Sequence, residues 1–174
     1  MDAGSSGTRI YVYQWPHRAS SSSVAPYPQP VSSIDWSQKI KPGVSSFATD
    51  FPGLEQHLAG LIDFAEGVLE EVSYQWSQIP IFLGATAGVR VLPLQQRLAL
   101  MDYIRLLLLD KTFCPFYFQP EFARILSGEE EGVFGYLTVN YILNTLDQGI
   151  PSGALDLGGA STQITFAPAG DVLA

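Results

Sequence analysis

One cysteine in 174 residues is the first scarcity. A lone Cys114 excludes an internal disulfide and a thiolate metal cluster, and among Phe113, Pro115 and Phe116 it reads as a small buried hydrophobe. Positive charge is scarce too. Nine Lys and Arg against 17 Asp and Glu leave a net charge of −8. Phosphate backbones are held by clustered cations, so this balance argues against nucleic acid as a partner, and any anionic substrate needs local help from backbone N–H groups or a metal. Long apolar runs are missing as well. The longest, Leu106 to Leu109, sits among Asp102, Arg105, Asp110 and Lys111 and falls far short of the ~20 residues a membrane span needs. Met1 is followed at once by Asp2, so no charged and apolar secretory leader is read at this end, and the residues mark no compartment. Of the two histidines, His57 lies within a helical pattern and reads as a surface or internally satisfied residue, not a ligand.

What is present is a chain 47% apolar, long enough to bury a core as one domain or one and a part. It repeats itself. DAGSSGTRIYV at 2–12 matches DLGGASTQITF at 156–166, pairing Asp2 with Asp156, Gly4 with Gly158, Thr8 with Thr162 and Ile10 with Ile164. In both copies an acid and a turn of small residues lead into a β-rich run, a hairpin signal. Gly153-Ala154-Leu155 supplies an incoming strand for the second copy, whereas the first is expected to lack one. Such loops suit phosphate and metal handling. Glycines admit a polyphosphate close to the backbone, N–H groups and hydroxyls donate to its oxygens, and the leading Asp can hold a hydrated divalent cation. Two of them facing each other would grip one polyphosphate.

Between the loops, residues 18–34 are rich in Ser and Pro without periodicity and read as an exposed loop. Leu54, Leu58, Leu61, Ile62, Ala65, Val68, Leu69 and Val72 then recur at helical spacing behind a Thr49/Asp50 cap, with Pro52 in the first turn. Residues 79–93 read as a short buried strand breaking into Gly84-Ala85-Thr86-Ala87-Gly88, followed by a second helical pattern from Leu94 to Leu108. A strand ending in small residues before a helix is where α/β proteins commonly bind phosphate, so Thr86 offers a hydroxyl there. A further helix is expected over 127–146, with three glutamates at its entrance. Acids in a first turn complement the helix dipole without further role. One of them facing the cleft could instead deprotonate a water, and order and spacing do not choose which.

Four separated segments, in order, resemble the characteristic regions of the apyrase family, the nucleoside triphosphate diphosphohydrolases. Asp2 to Arg9 resembles the first, Gly84 to Arg90 the second, Glu130 to Tyr136 with Asn140-Tyr141 the third, and Leu155 to Gln163 the fourth; Lys41 to Phe47 also looks familial. The resemblance implies an α/β fold, a ribonuclease-H-like lobe of the kind found in actin-like ATPases. Its mixed sheet would be flanked by helices, with residues 1–127 as the first lobe and 128–174 as the incomplete beginning of a second. It implies Ca2+- or Mg2+-dependent hydrolysis of the terminal phosphate of nucleoside tri- and diphosphates. By the same resemblance Glu131 matches the catalytic base and Gln163 a residue positioning the attacking water. Asp2 and Asp156 match carboxylates holding the metal through water. Gly4, Ser5, Ser6, Gly7, Thr8, Thr86, Ala87, Gly88, Gly158, Gly159, Ala160 and Ser161 match phosphate or metal-water contacts. Extracellular or secretory-lumen placement follows from the family alone. Gly7 stands where many cell-surface members have His, which leaves the tri- versus diphosphate preference open, and Tyr136 stands where Trp is usual. The alternative is a non-catalytic nucleotide- or metal-binding fragment whose cleft does not close.

Overall fold

The computed structural model describes residues 1–15, 31–146 and 151–168. Five strands form one sheet: β1 (Asp2–Ala3), β2 (Thr8–Tyr11), β3 (Ser37–Ile40), β4 (Leu83–Ala85) and β5 (Ala123–Ile125). Their spatial order is β3-β2-β1-β4-β5, with β1 to β3 antiparallel and β4 and β5 running parallel to β1. This mixed sheet flanked by helices is the expected ribonuclease-H-like arrangement. One expectation is corrected: the first loop does have an incoming strand. Asp2 and Ala3 are themselves β1, and this two-residue strand is central because it pairs with both β2 and β4.

The return from the meander to β4 runs through α1 (Phe51–Val68), and that from β4 to β5 through α2 (Ala87–Arg90) and α3 (Leu94–Leu109). Asp50 caps α1 alone, its carboxylate accepting from Gly53 N–H at 3.0 Å, and Pro52 sits in the first turn, where its missing N–H costs nothing. The helix ends at Val68 instead of continuing to Val72, since Glu70–Gln78 tightens into 3-10 turns. The strand expected over the start of 79–93 is shorter and later, at Leu83–Ala85, although Ile81 N–H still bonds Tyr117 O at 3.0 Å. Leu54, Leu58, Leu61 and Ile62 of α1 join Leu100, Met101, Ile104 and Leu108 of α3 over Ile10, Leu83 and Ala85 to form the core, all buried. Cys114 and Phe116 complete it.

Most of the expected 18–34 loop lies outside the described residues. At its described end Val31 bridges to Gln14, and Ser33 caps a 3-10 turn at Ile34–Trp36. Beyond β5, α4 (Gly128–Ile142) leads to a separate two-stranded hairpin, β6 (Ala154–Leu157) and β7 (Thr162–Thr165), which packs on α4. Buried Asn140 ties the two together. Its side chain donates to Tyr136 O and Ser152 O, both at 2.9 Å, and accepts from Ser152 N–H at 2.7 Å and the Thr145 hydroxyl at 2.6 Å.

Candidate active site

Strand alternation decides which side chains meet the cleft. Thr8 and Ile10 point to the apolar face under α1. Their neighbours point away, so Lys39, Arg9 and Asp2 line up in register across β3, β2 and β1. The two repeated loops close over this row. A Cβ placed on Gly159 would stand 2.7 Å from Ser5 Oγ, which measures how nearly they touch.

Between them lies a polar cavity of about 190 Å3. The first loop contributes Gly4, Ser5, Ser6 and Gly7, and the second Gly158, Gly159, Ala160 and Ser161. Thr86 and Ala87 enter from the head of α2, and Asp2, Asp156 and Glu131 supply carboxylates. The structure therefore brings most of the candidate residues together. Three do not reach this cavity. Thr8 is buried with its hydroxyl 2.9 Å from His57 Nε2, which also shows His57 to be an internally satisfied residue. Gly88 is buried beneath the first loop, where a Cβ would come within 2.8 Å of Ser5 Cα. Gln163 lines a neighbouring chamber of about 640 Å3 that shares Asp2, Thr86, Glu131 and Asp156 with the polar cavity.

Local chemistry separates the three glutamates. Ser127 and Glu130 make a reciprocal capping box: the Ser127 hydroxyl accepts from Glu130 N–H at 3.1 Å, and the Glu130 carboxylate accepts from Ser127 N–H at 2.9 Å. Glu130 also pairs with Arg124, so the cap and Arg124 engage its carboxylate. Glu129 accepts a 3.3 Å bond from the Ser127 hydroxyl. Glu131 alone turns inward, its side chain 11% exposed; Oε1 meets Arg90, and Oε2 accepts from the Ser161 hydroxyl at 3.4 Å. Gly132 lets the hairpin approach at that point, because a Cβ there would stand 2.7 Å from Thr165 Oγ1.

Electrostatics follow from this crowding. Desolvation pushes the Asp2 carboxyl above its ordinary value; the α-ammonium and Arg9 pull the other way, and the Glu131 charge adds to the rise. Arg9 and Lys39 also line the cavity, and sequence reasoning gave neither a role. Arg90 belongs to the second motif, which gives it no role of its own. Among the described residues no three His, Cys, Asp or Glu side chains stand close enough to hold a metal directly. Hard oxygen donors spread around a polar cavity suit a divalent cation that keeps its own water shell.

Residues 1–173 match the GDA1/CD39 (nucleoside phosphatase) family. Ectonucleoside triphosphate diphosphohydrolase 1 of Bos taurus is 36% identical over 182 residues, covering 97% of this chain and 34% of the relative. Golgi apyrase of Saccharomyces cerevisiae is 35% identical over 187 residues, covering 97% of this chain and 29% of its own length. A crystal structure of nucleoside triphosphate hydrolases from Neospora caninum superimposes with a TM-score of 0.66 at 23% identity, across 99% of this chain and 38% of that one. The chain thus spans about a third of the length of the curated relatives it matches. From its match to the family across nearly every residue, the chain belongs to the GDA1/CD39 (nucleoside phosphatase) family.

Proposed function

We propose that this chain carries the phosphate-handling part of a hydrolase that removes the terminal phosphate from nucleoside tri- and diphosphates. The observation that carries the reading is the convergence of both glycine-serine loops, the head of α2 and a single inward glutamate on one polar cavity. In this reading N–H groups and hydroxyls of Ser5, Ser6, Thr86 and Ser161 hold the phosphate oxygens. Glu131 Oε2 takes a proton from water as that water attacks the terminal phosphorus in line, and the shortened nucleotide leaves with the bridging oxygen. Gln163 supports the same step from the adjoining chamber: its Oε1 is buried with no partner among the described residues and can accept from a water. Asp2 and Asp156 would hold Ca2+ or Mg2+ through water. When bound, such an ion neutralises charge on the phosphates. The acidic composition makes that contribution needed, since among the described residues Lys39 and Arg9 are the cations that line the cavity.

We further read residues 1–127 as one lobe and 128–174 as the start of a second, and infer an extracellular or secretory-lumen setting from relatives named as ecto-enzymes and a Golgi apyrase. A second reading, nucleotide or metal binding without turnover, is favoured by the outward face of the hairpin, where Leu155 is 80% and Leu157 85% exposed. Phosphate release from ATP and ADP with Ca2+ or Mg2+, repeated with chelator, separates the two. Metal-dependent release supports the hydrolase, and binding without release supports the alternative.

A further inference from the structure

Glu131 is anchored at Oε1 by Arg90, while Oε2 accepts a longer 3.4 Å bond from the Ser161 hydroxyl at the cavity. Arg90 Nη1 lies against Oε1, and the same nitrogen donates to Leu126 O at 2.6 Å. The arginine is itself fixed. Its backbone N–H bonds Thr86 O at 3.2 Å within α2, and its carbonyl accepts from Arg97 Nη1 at 3.3 Å. Arg90 is also the ion-pair partner of Glu131 among the described residues; Arg105 and Arg124 are paired elsewhere, to Asp102 and Glu130. A free glutamate side chain turns about three bonds and would present either oxygen in many directions. Tying Oε1 to a held guanidinium leaves Oε2 on the side of Ser161 and the cavity.

We infer that Arg90 is a positioning residue: it fixes the Glu131 carboxylate so that Oε2 faces the place where water must lose its proton. Because Arg90 and Ala87 belong to α2 and Thr86 is its N-cap, one stretch, 86–90, sets both the phosphate contacts and the direction of the base. Alignment of a reacting group within an ångström is worth large factors in rate, so the arginine acts on turnover and leaves substrate binding alone. This inference rests on the reading of Glu131 as base.

The test measures kcat and KM for phosphate release by Arg90→Gln and Arg90→Lys, together with side-chain 13C relaxation of Glu131. Expected for Arg90→Gln is a kcat lower by ~10²-fold with KM within about twofold, and a Glu131 side chain that becomes mobile. Arg90→Lys restores most of both, since one nitrogen makes the two bonds and an ammonium can replace it. If Arg90→Gln does not fold, Arg90→Lys with intermediate order and kcat carries the same result. A Glu131 side chain as rigid in Arg90→Gln as in the wild type overturns the inference, as does a raised KM at unchanged kcat. Absence of release by the wild-type chain counts against the reading of Glu131, while the mobility comparison still decides the role of Arg90.

Discussion

The two repeated loops share residue types and turn, yet the chain treats them differently. Ile10, after the first loop, is 3% exposed, whereas its counterpart Ile164 is 69% exposed. Thr8 is buried against His57 and Thr162 is open. The first loop hangs from a five-stranded sheet backed by two long helices, and the second from an isolated hairpin resting on α4. Loop shape is therefore a local property, set by small residues between short strands, whereas the stability behind it is tertiary.

That contrast can be broken most forcefully at the paired isoleucines. Ile10→Ala truncates a buried member of the core and should lower stability by about 2–5 kcal/mol in denaturant unfolding. Ile164→Ala, on an open face, should change it by no more than ~0.5 kcal/mol. Equal effects would mean the hairpin face is covered. A smaller difference is expected at the paired threonines. Thr8→Val leaves His57 without its hydroxyl partner and should cost ~1–3 kcal/mol, while Thr162→Val should be nearly silent.

The smallest effect is a pH dependence at His57, the α1 partner of Thr8. Burial lowers the His57 pKa below its ordinary 6.5. The folded chain therefore keeps the imidazole neutral where the unfolded chain would protonate it, and stability falls as pH drops from about 6.5. Melting from pH 7.5 to 5.5 should show a shallower fall in His57→Gln than in the wild type. An identical slope would remove His57 from the account.

How much of this was legible beforehand depends on the range of the interaction involved. The loops and the short turn at 84–88 announce themselves through small residues at fixed offsets, but that they face one cavity is a tertiary fact that the repeat states only as a condition. β1 does not announce itself, because two residues carry no period and its central place comes from pairing with β2 and β4. The end of α1 was hidden by Leu69 and Val72, which keep helical spacing through a segment that winds as 3-10 turns. Among Glu129, Glu130 and Glu131, the spacing from Ser127 to Glu130 is itself a capping-box signature and assigns Glu130 to the helix end. Arg90 bonds Glu131 across 41 residues, and no local pattern encodes such a pair.

The central claim is that both loops and Glu131 serve one polyphosphate. It is tested most directly by Glu131→Gln, measuring phosphate release from ATP beside the affinity for a non-hydrolysable ATP analogue in the presence of Mg2+. Release should be lost while affinity stays within about twofold of the wild type, because the amide keeps the shape of the side chain and cannot take the proton. Release at the wild-type rate, or loss of binding together with release, would contradict it.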